Sequence, residues 1–222
     1  MNGWTRQLRQ QCMQSGGTAT STTMLLEGPY GETSLLWAFE SVLLIVGGTG
    51  IAAAVPYIQD HIRRASSTGA GTFTKDITLV WSARQVSFMH QVASKELRPA
   101  FDREDFHFSF HSTSPEYKTL SIDAYSATTK ATSFQDVFKA DVTTSGSSQD
   151  IATHPKYEVN YGRPDIKSTI INSAKSAKMV NSHLAVLVCG PATLADEARA
   201  AVHCAMLQGY RQIEYIEDAY SW

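Results

Sequence analysis

The sequence predicts an α/β fold built on a doubly wound parallel sheet, and two observations carry that prediction. From residue 34 onward, apolar and β-branched runs alternate with helical patterns. That rhythm belongs to parallel strands with helices on both faces. The run Val42–Val46 then passes through Gly47, Gly48 and Gly50 directly into an Ala-rich helix former, a strand, glycine turn and helix in one unit. A chain of 222 residues, 43% of them apolar, holds one such domain and part of another.

Residues 1–33 read differently. Gly3-Trp4-Thr5-Arg6-Gln7-Leu8 is a turn into a short helix, and Ser15 to Thr23 is a Ser/Thr/Gly loop. Met24–Glu27 reads as a short strand, stopped by the turn signal Gly28-Pro29-Tyr30-Gly31. This is too little chain to fold alone, and it reads as the tail of a preceding all-β domain.

The βα rhythm follows. Val42–Val46 is the first strand and Ile51–Arg64 its helix, followed by a loop over Ser66 to Thr72. Ile77–Trp81 is the second strand. Gln85–Leu97 is a helix with Val86, Met89, Val92, Ala93 and Leu97 near one face, stopped by Pro99. Phe106–His111 alternates as a third strand. Residues 112–155 are rich in Ser and Thr and have no long period, so they read as an irregular insertion with a short helix near Phe134–Phe138. Ile166–Ala177 is a helix, Leu184–Val188 a fourth parallel strand, Thr193 to about Gln208 a helix, and Glu214–Glu217 a last strand. The domain organisation expected is 1–33 and 34–222.

Composition excludes several classes. A net charge of −2 argues against nucleic-acid binding through a broad basic surface. Three widely spaced cysteines, Cys12, Cys189 and Cys204, fit a reducing compartment rather than a disulfide framework. The seven histidines are scattered without metal-ligand spacing, so no metal site is expected. Residues 41–58 run 18 long without a formal charge, the crude length of a membrane span. The Gly-Gly-Thr-Gly break and Pro56 divide that run into a buried strand and a buried helix instead. Met1 to Gln14 is polar and has no apolar core of a signal peptide.

From Gly48 the turn reads G-x-G-x-x-A, with Ala53 in the third glycine's place, a variant of the dinucleotide-binding fingerprint. Its chemistry is anion binding. A helix N-terminus carries free N–H groups and about half a positive charge, and glycine lets a pyrophosphate approach the backbone.

Further motifs follow in order: Leu26-Glu27-Gly28-Pro29-Tyr30-Gly31, Gly47-Gly48-Thr49-Gly50-Ile51, Tyr161-Gly162-Arg163-Pro164-Asp165, Val188-Cys189-Gly190-Pro191 and the terminal Tyr220-Ser221-Trp222. Together they resemble the C-terminal reductase region of fungal ferric reductases and NADPH oxidases, within the ferredoxin–NADP reductase superfamily. The resemblance covers nearly the whole chain from Gly3. It implies a ferredoxin–NADP reductase-like nucleotide-binding lobe over 34–222 and, over 1–33, the remnant of a flavin-binding β-barrel. It also implies roles. Gly47, Gly48, Thr49 and Gly50 hold the NADPH pyrophosphate, Ser82 and Arg84 face the adenosine 2′-phosphate, and Arg163 contacts the nucleotide. Cys189, Gly190 and Pro191 sit beside the nicotinamide, Trp222 lies against the flavin ring, and Thr5 lies near the FAD pyrophosphate. Cys189 and Trp222 are thus the residues placed at the hydride transfer.

The residues agree with NADPH on their own account. NAD readers carry Asp or Glu at the end of the second strand for the ribose 2′-OH. Here that strand ends in Trp81-Ser82-Ala83-Arg84 without an acid, and Arg84 suits a 2′-phosphate. Hydride transfer needs positioning and exclusion of water rather than an acid–base residue. Each residue also has a plainer structural reading: Arg84 and Arg163 as solvated charges, Cys189 as a small buried residue, Trp222 as a loose terminus.

The expectation is an NADPH-dependent oxidoreductase lobe that passes hydride to FAD, with electrons going on through haem in a membrane domain to ferric iron. Its implied partners are the flavin and haem domains of an intact protein, and its place is the cytoplasmic face of the plasma membrane. The barrel and the haem-bearing helices are missing from this sequence, so the isolated chain is expected to be soluble and inactive as a fragment. Trp222 and the long 112–155 insertion favour the ferric-reductase branch by resemblance. Other readings stay open: a catalytically silent nucleotide-binding or interaction module, an oxidase that reduces dioxygen, and a soluble flavin reductase.

Overall fold

The run Val42–Val46 is at most 1% exposed at every residue. A strand hidden on both faces belongs at the centre of a sheet covered by helices on either side, and that is where it lies. The computed structural model describes residues 4–14, 21, 23, 34–67, 71–114 and 157–218, with side chains from residue 6. The chain divides into two units, Met1–Thr33 and Ser34–Trp222. In the first, the described element is helix α1, Trp4–Gln14. The expected strand Met24–Glu27, its barrel context, the helix near Phe134–Phe138 and nearly all of the 112–155 insertion lie outside the described residues.

The second unit carries β1 (Ser41–Gly47), α2 (Ile51–Ser66), β2 (Asp76–Ala83), α3 (Val86–Val92), β3 (Phe106–Ser112), β4 (Val159–Tyr161), α4 (Ile166–Met179), β5 (Leu184–Cys189), α5 (Ala192–Leu207) and β6 (Ile213–Glu217). The six strands form one sheet in the order β4-β3-β2-β1-β5-β6, and every pair is parallel. This is the doubly wound sheet the alternation predicts.

Period-2 alternation along each strand separates two cores. Val42, Leu44, Val46, Leu79, Trp81 and Leu187 face one side, where Ile58 of α2 and Met89 of α3 pack on them. Leu43, Ile45, Val80, Val186 and Val188 face the other, against Ile170 of α4 and Ala198 of α5. The small Ala174, Ala177, Ala198 and Ala201 are all buried; without longer side chains between them, α4 and α5 approach closely.

One expected helix spans a proline, and two other local features differ from the sequence expectation. Helix α2 runs through Pro56. Proline removes one N–H and frees the carbonyl four residues earlier, and Ala52 and Pro56 both lie on the exposed face of the helix. The segment expected as one helix over 85–97 changes form. α3 passes into a π turn (Ala93–Leu97) and a 3₁₀ turn (Arg98–Ala100) that contains Pro99. Met89, Ala93 and Leu97 are all 0% exposed and recur every four residues. An α-helix would rotate such a stripe by about 40° per step, and the wider turn keeps it on the sheet. Finally, β4 was not expected. It pairs three residues with Phe110–Ser112, too few for a period to show. Just before it, Tyr157 packs on Phe101 and Phe110 at 5.1 and 4.8 Å between ring centroids, and its hydroxyl lies 2.6 Å from His90 Nδ1. These contacts anchor the chain where it re-enters the sheet.

Candidate functional site

In the strand order, the chain leaves β1 toward β2 on one side, while β5 lies on the other. The loops at their carboxyl ends therefore part, and a doubly wound sheet opens a crevice there. A cleft of about 490 Å³ occupies this position, lined by Gly47, Gly48, Thr49, Ser82, Arg84, Arg163 and Pro191 among others. Seven residues singled out from sequence motifs spread over 145 positions thus meet at one site.

The glycine turn is shaped by two distinct demands. Gly48 has φ +56° with nothing within 4 Å of a Cβ placed there, so its backbone twist, not space, calls for glycine. Gly50 is the reverse case: a Cβ would fall 2.4 Å from the Cys189 carbonyl oxygen, so the turn closes on the end of β5 only without a side chain. The turn feeds α2, whose N-cap is Gly50, with no side-chain cap and no acidic residue in the first turn. The Ile51 N–H donates to the Thr49 carbonyl, and with no side chain capping this helix end its dipole adds positive potential for an anion. Helix α5 starts at the same cleft behind Pro191, also without a side-chain cap or first-turn acid.

Arg84 and Arg163 are exposed at the cleft, and neither forms an ion pair among the described residues. Arg84 follows the end of β2, held there as the Thr113 N–H donates to the Ala83 carbonyl at 2.9 Å. Arg163 follows β4 and precedes Asp165, which caps α4 by accepting from the Ser168 N–H at 2.9 Å. Those backbone and side-chain bonds hold the Asp165 carboxyl below the usual carboxylate range.

Other expected residues fall elsewhere. Gly190 is buried beside Gly47. Cys189 is 0% exposed and belongs to the core on the α2 side. Burial, with a smaller contribution from Asp218, pushes its thiol up to about 11. Its side chain is not among those lining the cleft, because strand alternation turns it into the core beneath the glycine turn. The Thr5 side chain and Trp222 lie outside the described residues.

Sequence reasoning missed Trp81, Phe88, Thr113 and Glu197. Trp81 is 0% exposed and its indole Nε1–H donates to the Gly48 carbonyl at 3.0 Å. Phe88, Thr113 and Glu197 line the cleft. Alternation along β2 puts Trp81 on the α2 side, which was a signal available in the sequence. Thr113 needed the register of β3, and Glu197 the position of α5 against β1.

Residues 39–203 match the family model described as the ferric reductase NAD binding domain. The chain belongs to that family. The resemblance drawn from the motifs is borne out. Among similar proteins, ferric reductase transmembrane component 3 of Saccharomyces cerevisiae is 27% identical over 227 residues, covering 99% of this chain and 30% of that protein. Component 6 of the same yeast is 29% identical over 224 residues, covering 100% and 28%. The cytochrome b5 reductase domain of Ulva prolifera nitrate reductase is a loose structural likeness, with TM-score 0.39 and 10% identity over 80% of this chain and 50% of that one. This ferric reductase NAD-binding domain thus spans less than a third of the length of the curated relatives it matches. Among its described residues no helix is long and apolar enough to cross a membrane.

Proposed function

We propose that this domain is the NADPH-binding lobe of a ferric-reductase-like flavoenzyme, delivering hydride from NADPH to FAD for the reduction of ferric iron across a membrane. The observation that carries the reading is the composition of the cleft: a glycine turn at the switch point, with Ser82 and Arg84 at the end of β2 and no acid among those β2 residues. Donors fit the phosphates of a dinucleotide, and the space a Cβ would fill at Gly50 supports the close turn.

In this reading backbone N–H groups of the turn hold the pyrophosphate at the start of α2, while the α2 dipole offsets its charge. Arg84 pairs with the 2′-phosphate, with Ser82 beside it, and Arg163 also contacts the nucleotide. The Gly190–Pro191 turn supports the nicotinamide, and Cys189 beneath it keeps the turn closely packed. FAD, when bound, supplies the hydride acceptor and the conversion to single electrons. Its assigned contacts are Thr5 and Trp222. Residues 1–33 belong with the flavin-binding barrel, the haem-bearing domain is the membrane partner, and the lobe works at the cytoplasmic face. The relatives' description as transmembrane components supports that placement.

Calorimetric titration with NADPH, NADH and 2′-phospho-AMP tests the reading. Tight NADPH and 2′-phospho-AMP with weak NADH is the expected result. Equal affinity for NADPH and NADH would remove Arg84 as phosphate reader, and no binding of any of the three would overturn the nucleotide site.

A further inference from the structure

We propose that Trp81 is a positioning residue for the glycine turn: its indole N–H sets which way the Gly48–Thr49 peptide points, and so aims the Thr49 N–H into the cleft. The proposal rests on the nucleotide reading above and adds a residue that touches no ligand.

Trp81 is fully buried and does not line the cleft. Its ring is locked by edge contacts from Phe88 and Phe110, at centroid distances of 5.6 and 5.5 Å. From that fixed ring, Nε1–H donates to the Gly48 carbonyl at 3.0 Å. Gly48 itself opens the 3₁₀ turn Gly48–Gly50. It has φ +56°, and a side chain there would meet nothing within 4 Å. No side chain limits that twist, and glycine accepts either sign of φ.

A peptide unit is planar and trans, so its C=O and N–H point in opposite directions. The indole draws the Gly48 carbonyl inward, and the Thr49 N–H is thereby turned outward, toward the cleft that Gly48 and Thr49 line. The opposite orientation would direct a carbonyl at the ligand and repel an anion. The plainer account is that a buried indole N–H needs some acceptor and takes the nearest. The two accounts differ in a measurable way. Positioning acts on ligands that carry a pyrophosphate. A general packing loss acts on every ligand of the cleft alike.

The experiment compares two probes by calorimetry on the full chain, wild type and Trp81→Phe. NADP⁺ carries the pyrophosphate, whereas adenosine 2′-monophosphate carries only the group assigned to Arg84. Phenylalanine keeps the aromatic packing and removes the donor. We expect NADP⁺ binding to weaken about tenfold, the value of one hydrogen bond to a charged group, with adenosine 2′-monophosphate unchanged within about twofold. If Trp81→Phe does not fold, benzothienylalanine at position 81 has the shape of tryptophan without the N–H and serves instead. Equal losses for both probes, or no loss for NADP⁺, overturn the proposal while leaving the nucleotide site standing. A wild-type chain that binds neither probe overturns both.

Discussion

Replacing Gly50 with alanine tests the geometry of the cleft most directly. The new Cβ would lie 2.4 Å from the Cys189 carbonyl oxygen, 2.9 Å from its carbonyl carbon and 3.1 Å from its Sγ. Ordinary contact needs about 3.5 Å, so either the turn or the end of β5 must move by about 1 Å. Neither yields easily. The obstruction is backbone, and Cys189 is paired in register with Val46 of β1. Overpacking of a close-packed interior costs about 1–3 kcal/mol, and an obstruction by paired backbone belongs at about the upper end of that range. For a domain of this size the melting temperature shifts about 2–4 °C per kcal/mol, so we expect a fall of about 6–12 °C. Displacing the turn also lengthens its hydrogen bonds to a phosphate, each about 1.5–3 kcal/mol, so NADPH affinity falls at least about tenfold. Thermal unfolding and calorimetry read the two effects. Gly71→Ala is the control. Nothing lies within 4 Å of a Cβ there and its φ is not left-handed, so it leaves stability unchanged or raises it by up to about 1 kcal/mol. A Gly50→Ala protein that melts with wild type and binds NADPH as tightly would refute the close approach of turn and strand.

Other predictions concern the cleft, the far end of the sheet and the thiols. Arg84→Ala should weaken NADPH by about 1.5–3 kcal/mol, roughly 10- to 150-fold, through loss of a charge-assisted pair, and leave NADH unchanged; titration of both nucleotides decides it. Burial alone would raise the Asp105 carboxyl, but hydrogen bonds and charge from Arg103 and His61 outweigh it and hold the group below its usual 3.8. Its folded value lies below its unfolded one, so its stabilisation is complete above about pH 4 and is lost as pH falls through the lower folded value. Asp105→Asn should therefore flatten the acid limb of stability against pH, and an unchanged limb would show that the cluster does not contribute. With its thiol buried and pushed up to about 11, Cys189 should resist a thiol reagent at pH 8 in the native protein and react only on unfolding. Native labelling at Cys189, read by mass spectrometry, would contradict its burial.

The alternation of β1, α2, β2 and α3 was legible because each strand is an apolar run bounded by turn residues. The parallel sheet followed, since such a rhythm admits few topologies. β4 was not legible. Val159–Tyr161 is three residues long, and it is a strand because β3 offers it an edge and Tyr157 anchors it. The π turn after α3 was hidden for a related reason: Met89, Ala93 and Leu97 read as a helical stripe until the sheet beneath requires all three to face it. At the site, the glycine turn, Ser82, Arg84 and Arg163 could be named from motifs and resemblance. The direction of a side chain could not, and Cys189 shows it. Its motif places it at the end of β5, and only the pleat of that strand turns the thiol into the core.

Local pattern alone therefore determined where the strands and helices run, where the anion-binding turn lies and which residue type ends β2, because each depends on near neighbours in the chain. The tertiary structure decided what meets what. It brought the end of β5 to within the width of a missing methyl group of Gly50, and put the Trp81 indole under the Gly48 carbonyl. These contacts join residues between 33 and 139 positions apart. No sequence window spans them, because they exist only once strand order and register have closed the sheet around the cleft.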